Sequence, residues 1–226
     1  MATLNASKTG RAYVFNKPTH AAARDATTAN AVAVDPTYAT SAATQYKRQV
    51  GRSGNAFAVY RTFYYFDTSG ITGNVSSATL NILGSHSETA TVIVVPSTAF
   101  GGDGSADIVV ADFDNITFSS AYGAGFSGWD DGTNNSLVLK STANTHIRDQ
   151  DYFICALIEY TYDYSDTDPG STVDVQAGIN FFTPAYLDYT ETAASGYAND
   201  VIGVATANIG EVLGVATANI EKVIGV

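Results

Sequence analysis

Residues 56 to 66, Ala-Phe-Ala-Val-Tyr-Arg-Thr-Phe-Tyr-Tyr-Phe, constrain the fold more than any other part of the chain. Successive side chains of an extended strand point to opposite faces, so Phe57, Phe63 and Tyr65 fall on one face and Tyr60, Tyr64 and Phe66 on the other. A strand that carries large aromatic groups on both faces must be covered on both sides, which places it at the centre of a layered β structure. Arg61 sits mid-strand among these rings. A guanidinium there is expected to stack on aromatics and pair with a carboxylate as a structural element.

The same two-residue alternation runs through the interior, punctuated by clusters of Gly, Asp and Asn. It predicts short strands over residues 12–15, 31–34, 56–66, 77–83, 90–95, 107–111, 115–118, 135–139, 151–162, 172–177 and 185–190. With almost no helical periodicity, that succession argues for an all-β, antiparallel β-sandwich. The connecting segments Gly101-Gly-Asp-Gly104, Trp129-Asp-Asp-Gly132 and Asp166-Thr-Asp-Pro-Gly170 carry turn chemistry, namely glycines for positive φ and Asx-type hydrogen bonds.

The last twenty-six residues depart from this pattern. Residues 201–211, Val-Ile-Gly-Val-Ala-Thr-Ala-Asn-Ile-Gly-Glu, recur at 212–222 with eight of eleven positions identical, and a truncated copy closes the chain at Val226. A repeat this short cannot cover its own apolar face, so it is expected to dock on something else. Two conformations are open. Ile209, Leu213, Ile220 and Ile224 follow a helical stripe, with short turns over 208–213 and 219–224 and Gly214 and Gly225 ending them. The Val, Ile and Thr content favours instead strands that augment a neighbouring sheet. The division is therefore a sandwich over residues 1–192 and, over 193–226, a linker at Ala193-Ala-Ser-Gly196 followed by the repeat tail that serves attachment or oligomerisation.

Charge narrows the partners. Against 22 acidic residues stand 11 basic ones, a formal net charge of −11, which repels phosphate backbones and anionic headgroups. Nucleic acid and membrane are not expected partners, and no run of about eighteen apolar residues occurs. Only 15% of residues are charged, a composition that suits a particle or extracellular component. Nothing at the N-terminus reads as a secretion signal.

Reactive chemistry is sparse. The chain has no phosphate-binding glycine loop, no Gly-x-Ser-x-Gly elbow and no His-Glu-x-x-His. His20, His86 and His146 stand in separate polar contexts, and Asp130-Asp131 reads as part of a turn. Cys155, inside an apolar run, reads as a small buried hydrophobe. No catalytic residues and no resident cofactor are expected. Calcium is the one metal the acidic loops admit, through Asp103, Asp107, Asp112 and Asp114, or through Asp163, Asp166 and Asp168, although neither set has EF-hand spacing. In the glycine-rich segment 121–129, Tyr122, Phe126 and Trp129 read first as anchors of a long loop, then as a subunit contact, then as a platform on which a sugar would stack.

The segment Tyr60-Arg-Thr-Phe-Tyr-Tyr-Phe-Asp-Thr-Ser-Gly-Ile71, followed by Val75-Ser-Ser-Ala-Thr-Leu-Asn-Ile82, resembles the motif of DNRLRE-type domains. Thr183-Pro-Ala-Tyr-Leu-Asp-Tyr-Thr190 is similar to the closing strand of that family. The resemblance implies a jelly-roll sandwich of the kind found in extracellular and phage structural proteins, and it carries no catalytic residues. The tail looks like the Ala-Asn-Ile-x-Lys-Val-x-Gly-Val repeats of tailed-phage virion proteins, so the resemblance implies a virion decoration, fibre or tail-appendage protein, made in the host cytoplasm. Its expected partners are other virion proteins and further copies of itself, with a host-surface glycan as an additional one. A carbohydrate-binding adhesin and a self-assembling extracellular filament subunit are the alternatives.

Overall fold

The computed structural model describes residues 1–34, 42–51, 54–87, 91–170, 174–181, 185–192, 211–212 and 215–216. Strand β5 (Gly54–Asp67) is the axis of the fold. One of its edges pairs with β2 (Lys8–Lys17), and the other with β4 (Ala42–Gly51) over its first half and β9 (Tyr152–Glu159) over its second, all antiparallel. β3 (Ala31–Val34) extends this layer beyond β2, and β7 (Val92–Pro96) extends it beyond β9. The facing layer is built on β6 (Asn74–Ser87), with β8 (Thr133–Val138) along one edge and β11 (Tyr186–Thr192) along the other, and β1 (Ala2–Asn5) flanks β11. β10 (Val175–Phe181) pairs with both β6 and β4. A hydrogen-bonded sheet of eleven strands thus folds back on itself into an antiparallel sandwich.

Two cores flank the β5 layer, as the double-faced aromatic strand requires. Between the layers, Tyr64 and Phe66 of β5 pack with Leu80 and Ile82 of β6, Phe153, Cys155 and Leu157 of β9 and Leu187 of β11. On the outer face, Phe57, Val59 and Phe63 pack with Val14 of β2, Tyr46 of β4, Ile154 of β9, and Phe100, Ile108 and Phe113 from the long connection after β7. Phe63 and Phe66 are both fully buried, on opposite faces. Two α-helices complete the described structure. α1 (His20–Arg24), capped by the Thr19 hydroxyl on the Ala22 amide, lies over the outer core, and α2 (Ser141–Asp149) closes the inner core with Ala143 and Ile147.

The connection between β7 and β8 corrects two expectations. Residues 107–111 and 115–118 are not strands: Val110–Asp114 forms a 3₁₀ turn and Ile116 makes only an isolated bridge to Ser97. The cause is Asp112, whose buried carboxylate accepts from the backbone amides of Phe100 and Val109 and from the Asn115 side chain, and so bends the chain onto itself. The expected strand over 151–162 stops at Glu159 for a similar reason given below. The expected positive-φ turns are present, with φ of +79°, +85° and +83° at Gly101, Gly102 and Gly104. At Gly104 a Cβ would also stand 2.2 Å from the Tyr65 ring, so only glycine fits there.

Within the tail, β12 (Glu211–Val212) and β13 (Val215–Ala216) pair antiparallel, Glu211 opposite Ala216 and Val212 opposite Val215. At 211–212 an extended ladder therefore replaces the helical turn, in keeping with the β preference of valine. Ile209, Leu213, Ile220, Ile224 and the linker at 193–196 lie outside the described residues.

Candidate functional site

The only cluster of buried charge in the described structure lies beneath the outer surface of the β5 layer, and it holds that surface together. Arg61 is 0% exposed. Its Nε and one terminal nitrogen donate to Asp163 at 2.9 and 2.6 Å, and the remaining donors reach the carbonyls of Phe113 and Arg24, each at 2.8 Å. The guanidinium also stacks over Phe113, 4.0 Å from the ring centroid. One side chain thereby ties the π-helical turn Tyr160–Tyr164, the Val110–Asp114 turn and α1 to the central strand through four hydrogen bonds.

Glu159, 1% exposed, makes that arrangement possible. Its carboxylate accepts from the backbone amides of Thr161, Tyr162 and Asp163, which ends β9 and winds the following turn so that Asp163 meets Arg61. Burial, with the Asp163 charge adding to it, pushes the Glu159 carboxyl above the usual carboxylate range, against the three amide bonds that pull it down. His20, also buried, bridges the Tyr46 hydroxyl at 2.6 Å and Asp166 at 3.1 Å. Burial and the surrounding carboxylates raise the Tyr46 phenol further from ionisation. Arg48, on the strand that carries Tyr46, is fully buried, and its nitrogens make no hydrogen bond among the described residues.

The predicted metal ligands are scattered over separate tasks. Asp103 accepts from Ser105, Asp107 pairs with Lys8 at 3.5 Å, Asp112 braces its own turn, and Asp114 is exposed. Asp163, Asp166 and Asp168 likewise serve Arg61, His20 and the Gly170 amide. Among the described residues no three His, Cys, Asp or Glu side chains converge as a metal site. The oxygens of Asp103, Asp107, Asp112, Asp163, Asp166 and Asp168 each face a separate backbone amide, polar side chain or cation.

The aromatic segment 121–129 faces the sandwich. Tyr122 and Trp129 are 3% and 7% exposed and belong to the inner core, with Phe126 packed edge-on against Trp129. Packed this way, the buried rings of Tyr122 and Trp129 hold the loop on the sandwich, and Phe126 is partly buried against them. Tyr122 packs on Phe153, and its hydroxyl meets Nδ1 of His146. Cys155 lies in the same core, its thiol pushed up by burial and so kept protonated. The side chain of His86 is outside the described residues.

A cavity of about 180 Å³ opens beside that Tyr122–His146 pair. It lies between the start of the long connection, the end of α2 and the start of β9, and Ser97, Thr98, Thr117, Gln150 and Tyr152 contribute to its walls. Ser97 fixes its rim by donating to the Asn115 carbonyl and accepting from the Ala99 amide. Thr68 fixes the floor through the carbonyls of Gln150 and Asp151. The sequence reading missed this site because its walls come from four segments with no common spacing. Compared with family models and with curated proteins, the chain matches none.

Proposed function

We propose that the chain is a non-enzymatic structural protein of a tailed-phage virion, a decoration, fibre or tail-appendage subunit whose sandwich is displayed and whose eleven-residue repeats attach it to other virion proteins or to further copies. The observation that carries this reading is the near-identical repeat, too short and too apolar to stand alone, appended to a sandwich whose described cores close among residues between Leu4 and Tyr189. The absence of nucleic-acid-compatible charge agrees with an external, protein-facing role. So does the use of the buried acids and bases as internal ties.

The attachment is apolar. Docking of Ile209, Leu213, Ile220 and Ile224 contributes roughly 1.5–3 kcal/mol per side chain before ordering costs, whereas a surface ion pair is worth about 0–1 kcal/mol. Ile209→Asp with Ile220→Asp should release the full-length protein from the particle in co-sedimentation, and Glu211→Gln with Lys222→Gln should leave it bound. Release by the charge-neutralising pair alone would mean that the tail is held electrostatically and would overturn the docked-stripe reading.

A further inference from the structure

The cavity beside Tyr122 and His146 has a lining unlike the rest of this molecule. The protein carries 22 carboxylates and 11 cationic side chains, yet no Asp, Glu, Lys or Arg lines the cavity. Its walls offer one serine and two threonine hydroxyls, a carboxamide, two phenols and an imidazole set against aromatic rings. Of these, the side chains of Thr98, Thr117, Gln150 and Tyr152 make no hydrogen bond to any described residue, while Ser97 and the Tyr122 hydroxyl are occupied in holding the walls. The site is thus a rigid rim bearing uncommitted neutral donors and acceptors around an aromatic patch.

Size restricts the occupant further. A volume of about 180 Å³ equals roughly six waters of the liquid and falls below the 300–1,000 Å³ usual for larger organic ligands. A nucleotide, a peptide or a fatty chain would not fit. A charged ligand would find no counter-ion, and a purely apolar one would strand the threonines and Gln150 without partners. One chemistry satisfies all three limits: a compact ring with an apolar face for Tyr152 and hydroxyls around its edge.

We propose that this cavity binds a single neutral hexopyranose, either free or as the terminal unit of a glycan. Thr98, Thr117 and Gln150 bond its hydroxyls, and Tyr152 supplies the ring against which it lies. The inference does not depend on how the repeat tail attaches the protein.

The test is a nuclear magnetic resonance titration of the full-length protein with a panel of neutral methyl hexopyranosides, each alone and as the end of an oligosaccharide, and with the matching uronates. At least one neutral sugar should give saturable shifts confined to residues around the cavity, and its uronate should bind more weakly. Gln150→Ala and Thr117→Val alter exposed side chains that the core does not use. Each should weaken binding about two- to tenfold, the equivalent of one neutral hydrogen bond, while Val138→Thr on the exposed edge of β8 leaves it unchanged. Equal affinity for the free and glycan-borne ring assigns a free sugar, and tighter binding of the oligosaccharide assigns a glycan terminus. Absence of saturable shifts with the whole panel, or shifts that both cavity variants leave unaltered, would overturn the proposal.

Discussion

The two cores on either side of β5 are built by different means. The inner one lies between two hydrogen-bonded layers and is built from apolar and aromatic side chains. The outer one lies between a sheet and a covering of loops, short turns and a five-residue helix, and it contains Arg61, Asp163, Glu159, Asp112 and His20, all buried. Strands arrive with their backbone groups already paired, so two facing sheets need only complementary volume. A loop arrives with amides and carbonyls unpaired, and burying them without partners costs free energy. The outer layer meets that demand with carboxylates that accept from successive amides and with one guanidinium that collects loose carbonyls. Where regular structure ends, buried charge takes over its role.

Truncating each core in turn probes the first half of this contrast. Phe63→Ala in the outer core and Phe66→Ala in the inner should each cost about 3–5 kcal/mol in denaturant unfolding, because both rings are fully buried. The losses should differ in kind. Phe66→Ala should lower the midpoint of one global transition, whereas Phe63→Ala should also raise hydrogen exchange in the covering loops. A wild-type midpoint for either would remove that face of β5 from the core.

The second test separates charge from packing. Arg61→Met alone leaves Asp163 buried and unpaired, and should destabilise by about 3 kcal/mol, near the lower end for broken buried pairs. Adding Asp163→Leu should recover much of the loss, since a buried pair is often worth little more than the apolar groups that can replace it. Failure of the double variant to recover would show that the Phe113 and Arg24 carbonyls, stripped of their donors, dominate the cost.

The smallest effect is one of pH. Burial raises the Glu159 carboxyl, so the folded protein binds this proton at a higher pH than the unfolded chain does. Glu159 therefore adds stability as pH falls through its folded value and withdraws it as pH rises, opposite to an ordinary paired carboxylate. Glu159→Gln removes that slope. Relative to wild type, the variant should fare better at neutral pH than near pH 4, where model glutamates titrate at about 4.3. A series of urea midpoints across that range should show the difference growing with pH. A difference that shrinks instead would mean that the three amide bonds outweigh desolvation.

The central strand β5, with both of its faces, could be read from the sequence because its determinants are periodic. Phe63 and Phe66 announce a strand covered twice, and an arginine among aromatics announces a stacked, paired guanidinium. The loop covering over the outer face resists such reading because its determinants are single side chains acting on distant backbone. Nothing local to Asp112 says that it will accept from Phe100 twelve residues earlier and turn an Ile-Val-Val run away from strand. β4 was hidden for a related reason: Tyr46 and Arg48 are both buried, and a buried arginine blurs the alternation that marks a strand. α2, Ser-Thr-Ala-Asn-Thr-His-Ile-Arg-Asp, is poor in strong helix formers and shows only Ala143 and Ile147 as an apolar stripe. Tertiary packing, not propensity, holds it against β6 and β9. The cavity shares this fate, since its walls meet only after the chain has folded.

The position of β11 has a mechanical consequence. It is the last strand before the tail, and it is clamped between β1 on one edge and β6 on the other, with ladders running along both. A pull on Thr192 along the strand axis would load these bonds together, in shear, instead of peeling them one at a time. A subunit tethered through its tail would then pass tension into a strand held on both edges, a geometry that resists unzipping.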